Sequence, residues 1–242
     1  MEKRVTRTIR RNIQSHGHHI YDVRGGPLPP WSYSIGLSER IGFEVILAGG
    51  LYFDESERLT ILDGCIEHLI KQVSSEYENS LGRFCLHLIS ESWPDELFLG
   101  AIDYYGCRPK FMQIYPGEDS LTMDVPRLFG SWSVEDFPVW KWLEEDWNYS
   151  IPPKSIALTD TDILGGHAKA EVACRFGKEY WEIYSRQPEE IEDQYKRFSP
   201  LGTILALYPD IEAATRLRSG HAIERFQNQS DWRPWDGRVA RK

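Results

Sequence analysis

Apolar positions along this chain recur with a period of two in some stretches and a spacing of three to four in others, the patterns that separate strands from helices. Residues 18–23, 31–37 and 43–48 alternate as strands do; Trp31, Tyr33 and Ile35 fall on one face, and Gly49-Gly50 ends the third stretch. Residues 54–73 predict the clearest helix. Asp54 stands as its cap with Glu57 three residues on, the spacing of a capping box, and Leu59, Leu62, Ile66, Leu69, Ile70 and Val73 share a face. Residues 83–89 and 111–115 predict further strands, and 94–105 a second helix with proline at its start and Gly106 at its end. Ahead of these, Val5, Ile9 and Ile13 predict a short helix inside a basic arm that carries Lys3, Arg4, Arg7, Arg10 and Arg11; the arm reads as a solvated terminal helix.

From residue 116 to 153 the periodicity fails. The stretch holds five Pro and four Trp, and this composition marks it as the connection between domains. Order then resumes with strands at 155–158, 170–176, 180–184 and 222–226, a tight turn at Gly177-Lys178, a short acidic helix at 188–195, and helical pieces at 203–207 and 210–217 broken by Pro209. The elements predict an α+β protein of two small mixed domains, each a mostly antiparallel sheet with helices packed on one face. The expected division is a basic arm at 1–15, a first domain at 16–124, an acidic Trp- and Pro-rich connection at 125–153, and a second domain at 154–242.

Hydrophobic residues at 41% and charged ones at 27% give no reason to expect disorder. Aromatics at 13%, with nine Trp, exceed ordinary use, and surplus Trp and Tyr favour recognition surfaces. A net charge of −9 argues against nucleic acid as a partner, which would need a basic face, and suits a basic protein. The acidity is uneven: residues 1–124 carry 12 basic and 18 acidic side chains, 125–153 carry 2 and 5, and 154–242 carry 14 of each, so the charge for steering a partner is expected in the first half and the middle. No run approaches the length of a membrane span, and no apolar stretch follows the basic N-terminus as in a signal peptide, so the expectation is a cytoplasmic protein with no membrane partner. Cys65, Cys85, Cys107 and Cys174 show no close pairing and read as small buried hydrophobes.

Candidate chemistry is sparse. His16, His18 and His19 invite a metal, but neighbours on a strand point to opposite faces, and no metal or cofactor is expected. Asp160 and Asp162 lack the rest of a calcium loop and read as turn and cap residues. Gly25-Gly26 and Gly165-Gly166 match no phosphate-binding motif, and Ser34-Ile-Gly is no nucleophile elbow. Cys85 and His87 would share a strand face, though His87 reads more simply as a strand residue. The strongest constellation is residues 131–149, where Trp132, Trp140, Trp142 and Trp147 are interleaved with Glu135, Asp136, Glu144, Glu145 and Asp146. Acids beside aromatic anchors suit a docking surface for a basic protein; equally, the tryptophans can pack the domains with the acids as their solvated rim. A second possibility is an aromatic-lined pocket in the first half, built from Tyr33, Tyr104, Tyr105 and Gln113, serving small-molecule binding or an enzymatic reaction.

Two segments resemble known families. Gly17-His-His-Ile-Tyr-Asp-Val, Pro30-Trp-Ser-Tyr-Ser-Ile-Gly-Leu, Ala101-Ile-Asp-Tyr-Tyr-Gly and Phe111-Met-Gln-Ile-Tyr-Pro resemble an uncharacterised bacterial domain family. Here His18 stands where that family has Trp, and Ile41-Gly-Phe-Glu replaces its usual His-Pro-Glu; the resemblance implies no activity. Farther on, Trp181-Glu-Ile-Tyr-Ser, Pro200-Leu-Gly-Thr-Ile-Leu-Ala, Tyr208-Pro-Asp-Ile and Gly220-His-Ala-Ile-Glu-Arg-Phe resemble a small domain found among immunity proteins of bacterial polymorphic toxin systems, with Tyr208 in place of an Asp. That resemblance implies a partner, a cognate protein toxin, and a function, occlusion of the toxin's active site, with no catalytic residues of the chain's own.

Overall fold

The structure, a computed structural model, describes residues 4–226, 229 and 231–235. Lys3 of the basic arm lies outside the described residues, as do the last residues of the expected second domain. The chain forms two compact units. Unit 1 takes the chain up to Arg24, Pro30–Leu121 and Val125–Phe137; unit 2 takes Gly25–Pro29, Thr122–Asp124 and the chain from Pro138 on. The stretch at 125–153, read as a connection, is therefore shared out between the two units.

Unit 1 contains α1 (Arg4–His16), β1 (His19–Val23), β2 (Trp31–Ile35), α2 (Ser38–Ile41), β3 (Glu44–Ala48), α3 (Glu55–Lys71), β4 (Glu76–Asn79), β5 (Gly82–Leu88), α4 (Leu99–Tyr105) and β6 (Phe111–Pro116). Its sheet has the order β1-β2-β3-β6-β5-β4, antiparallel except for the β3–β6 pair. Unit 2 contains β7 (Ile156–Asp160), α5 (Thr161–Leu164), β8 (Val172–Arg175), β9 (Tyr180–Tyr184), β10 (Lys196–Pro200), α6 (Leu201–Leu207), α7 (Glu212–Thr215), β11 (His221–Glu224) and β12 (Arg233–Pro234). Its order is β10-β7-β9-β8-β11-β12, again with one parallel pair, β7–β9. The α+β class and the two mixed, mostly antiparallel sheets are as the sequence predicts. Among the described residues no helix is long and apolar enough to cross a membrane.

The capping box forms as spaced: Glu57 N–H donates to Asp54 Oδ1 at 2.9 Å, and Asp54 N–H to Glu57 Oε2 at 2.8 Å. α3 buries Ile61, Leu62, Cys65, Ile66 and Leu69 against Val45, Leu47, Phe84, Leu86 and Ile114 of the sheet. Two residues expected inside are exposed. Ile70 lies about a third of a turn from the centre of the buried stripe, and Val73 lies past the helix end, where its phase no longer applies. Since Phe84 and Leu86 point inward on β5, the residue between them points out. Cys85 is thus exposed, as is Cys107 beyond α4, and only Cys65 and Cys174 are the buried thiols expected. The acidic helix expected at 188–195 is instead two short 3-10 turns, Pro188–Glu190 and Asp193–Tyr195.

The other face of the first sheet is also covered. Tyr33 pairs with Ile46, which alternates with Val45, so Tyr33 points away from α3. There α4 lies across it: Gly100 N–H donates to Tyr33 Oη at 2.9 Å. A Cβ at Gly100 would come within 2.6 Å of that oxygen, so the absence of a side chain lets the helix approach. In unit 2, α6 packs on the 3-10 turn Pro138–Leu143, and Gly202 serves the same purpose where its backbone meets Pro27.

Candidate functional site

The constellation at 131–149 is divided. In unit 1, the Trp132 ring lies 4.6 Å from that of Trp93 and is near-parallel to Phe137 at 6.2 Å. Trp93 is 1% exposed and its Nε1–H donates to Gly130 O at 3.0 Å. Trp132 is thus the outer ring of a packed trio. Ser133 caps the turn, its Oγ accepting from Asp136 N–H at 3.1 Å and donating to the Asp136 carboxylate at 3.0 Å, and Glu135 stays exposed.

In unit 2 the remaining tryptophans separate into one core residue and two surface ones. Trp140 is 1% exposed, and its Nε1–H donates to Asp124 O at 2.9 Å. This corrects its reading as a docking anchor: Trp140 is core. Trp142 and Trp147 are half-buried, with rings 5.0 Å apart, and Tyr149 closes the cluster at 4.9 Å from Trp147. Backbone carbonyls hold the indoles from below. Trp147 Nε1–H donates to Ile151 O at 2.7 Å and Trp142 Nε1–H to Gly202 O at 3.4 Å. Lys141 Nζ sits 4.4 Å over the Trp142 ring and 3.3 Å from Glu145.

In the same segment Glu144, Glu145 and Asp146 are exposed. Partial burial pushes the Tyr149 hydroxyl's pKa up, and the nearby carboxylates of Glu212 and then Glu145 push it further. Glu212 belongs to this patch although it lies far along the chain, so no local pattern could have placed it there. The result is an aromatic surface with the carboxylates of Glu145 and Glu212 beside it, each also paired with a cation, Lys141 at 3.3 Å and Arg216 at 2.8 Å, and with exposed Glu144 and Asp146 flanking Glu145 in the chain. Such a surface attracts cations and offers them ring faces once they arrive.

The four residues expected to line a pocket in the first half do not assemble as one. Gln113 is fully buried and bridges to the segment beside it, its Nε2 donating to Pro126 O at 2.6 Å and its Oε1 accepting from Leu128 N–H at 2.8 Å. Tyr33 stacks on Tyr21 at 5.3 Å, with its oxygen engaged by α4. Tyr105 donates to Glu44 Oε1 at 2.5 Å. Tyr104 does line a cleft, with Tyr21 and Asp103, but its volume is about 120 Å³, well short of the roughly 300 Å³ at which ligand pockets begin.

What sequence reading missed in unit 1 is Glu44. It is 0% exposed and accepts from Ser34 Oγ at 2.5 Å, Gly36 N–H at 3.0 Å, Ser38 N–H at 2.9 Å and Tyr105 Oη. Three donors meet Oε1 and one meets Oε2, and with no exposed surface the carboxylate has nothing to offer a substrate. Burial, and then the bond to Glu44, raise the Tyr105 pKa well above the usual phenol range. The node is therefore a structural lock for the β2–α2 connection. Among the described residues no three His, Cys, Asp or Glu side chains converge as a metal site. Asp160 caps α5, accepting from Ile163 N–H at 3.0 Å. The chain matches no protein-family model, no curated protein and no solved structure.

Proposed function

We propose that the chain is a bacterial immunity protein, acting in the cytoplasm, that binds a cognate protein toxin with a basic surface and neutralises it by covering the toxin's active site. The observation that carries this reading is the half-buried cluster of Trp142, Trp147 and Tyr149 with the carboxylates of Glu145 and Glu212 beside it and exposed Glu144 and Asp146 in the same segment. Its rings supply the anchors and its carboxylates steer the encounter, the division of labour that gives a tight complex with a fast on-rate. Repulsion of phosphates by the same carboxylates favours a protein over nucleic acid. The resemblance of the second half to immunity domains points the same way.

The test is purification from the native host with this chain as bait, followed by expression of each stoichiometric partner with and without it. A partner that stops growth alone and is tolerated in the presence of this chain is the expected result. A chain recovered alone, or with a partner harmless on its own, overturns the reading.

A further inference from the structure

We propose that unit 2 carries a binding site for a small organic anion, with a carboxylate or phosphate oxygen set against Arg225 and an apolar part lying on Phe226. The site is a cleft of about 550 Å³, within the span of small-molecule pockets. It forms where the end of β9, the start of β8 and the end of β11 lie side by side. Glu171 N–H donates to Tyr184 O at 2.8 Å and Arg225 N–H donates to Glu171 O at 2.7 Å, which brings Glu171, Ser185 and Arg225 together in the cleft wall.

Arg225 defines the chemistry. Its side chain is 4% exposed and its guanidinium is fixed: Nε donates to Ala170 O at 2.7 Å, Nη1 donates to the Asp210 carboxylate, and the Trp232 ring lies 4.6 Å from Cζ. Nη2 has no hydrogen-bond partner among the described residues, and neither has the hydroxyl of Ser185, itself more than nine-tenths buried. Buried donors without acceptors are costly, and a charged one most of all. Two such groups in one cleft wall call for an oxygen acceptor, and the guanidinium makes an anionic one best.

The rest of the lining agrees. Lys169 stands exposed at the cleft and brings a second cation. Phe226, 53% exposed, gives the ligand an apolar wall. Glu171 opposes an anion, but burial raises its pKa, the direction that weakens its charge, with Arg225 pulling the other way.

The experiment is calorimetric titration of the full chain with inorganic phosphate and, separately, with phenylacetate, which joins a carboxylate to a ring. Saturable binding of one or both is expected; phosphate alone assigns a phosphate-bearing ligand and phenylacetate alone a carboxylate. Ser185→Ala and Lys169→Ala are each expected to weaken binding about tenfold, the loss of one charge-assisted contact. Ser185→Ala should leave the Tm unchanged or higher, because it deletes a buried hydroxyl that bonds to nothing. Arg225 also holds Ala170 and Asp210, so its substitution would confound binding with folding. Titrations that fail to saturate by about 10 mM, or an affinity that neither substitution changes, overturn the proposal.

Discussion

Both units combine aromatic rings with carboxylates, and they do so in opposite senses. In unit 1 the acid is inside: Glu44 is enclosed, with Tyr105, two backbone N–H groups and Ser34 turned toward it. In unit 2 the acids are outside, with Trp142, Trp147 and Tyr149 bonded or packed inward and Glu144, Glu145 and Asp146 facing solvent. The same residue types make a lock in one place and a surface in the other. What decides is the destination of each polar atom. A carboxylate enclosed among donors has no capacity left for a partner, whereas one at the surface, even one paired as Glu145 is with Lys141, still presents its charge to whatever approaches.

The comparison can be broken at its strongest point first. Glu44→Ala takes the acceptor from Ser34 Oγ, Ser38 N–H and Tyr105 Oη, while Gly36 N–H keeps Tyr105 Oη at 2.8 Å, and on the order of 3 kcal/mol of stability should be lost. Urea denaturation of the variant measures this. A loss under about 1 kcal/mol would mean that the node is not a lock. Trp140→Ala is comparable, at about 3–5 kcal/mol for a core indole removed with its cavity left behind. Had Trp140 been a docking anchor, the same change would spare stability and lower partner affinity alone, so denaturation midpoint and affinity measured together separate the two roles. Tyr105→Phe is smaller, about 1–2 kcal/mol, because it removes one of the four donors and leaves the carboxylate otherwise satisfied.

The thiols sharpen the inside–outside distinction through pH. Burial pushes Cys65 and Cys174 up to about 12 from an ordinary 9.0. Both therefore hold their protons in the folded chain at pH values where the unfolded chain has released them. Their contribution to stability is complete below pH 9 and is lost as pH rises from there toward about 12. Stability measured across that window should decline, and Cys65→Ala should flatten the decline. At neutral pH a thiol reagent should modify Cys85 and Cys107 in the native chain, and the other two only after denaturation.

Much of the scaffold was legible in the sequence because its signals are local. Asp54 and Glu57 are three residues apart and read as a cap, and Trp31, Tyr33 and Ile35 alternate and read as a strand. The elements that escaped notice lack such signals. β4 is Glu76–Asn79, an edge strand too polar to show alternation, and β10 ends on Pro200 with exposed Phe198 in its middle. The functional content was harder to read because it depends on contacts made across the chain. Nothing in Ile41-Gly-Phe-Glu tells that Glu44 meets donors from 34–38 and from 105, nor that Glu212 would join the acids of 144–146. Trp140 and Trp142 stand two apart in one polar, irregular stretch. Where each ring lands decides which is core: Trp140 is enclosed with its Nε1–H on Asp124 O, and Trp142 stays half-buried against Gly202.

The smallest effect on stability carries the most about function. Glu144→Lys and Asp146→Lys change exposed side chains in the segment that carries Trp142 and Trp147, and each should alter stability by no more than about 0.5 kcal/mol. Their cost should appear in association. In the complex we propose, reversing a charge beside the docking rings slows the encounter with a basic toxin, and the on-rate should fall about tenfold at low ionic strength. The deficit should shrink as salt is raised and the Debye length drops below the separation of the charges. On-rates that match the parent chain at every salt concentration would exclude this surface as the docking site and leave the immunity reading to be sought on another face. A stability loss comparable to that of Glu44→Ala would instead show that these acids, like Glu44, are held by the protein, and the contrast between the two units would fail.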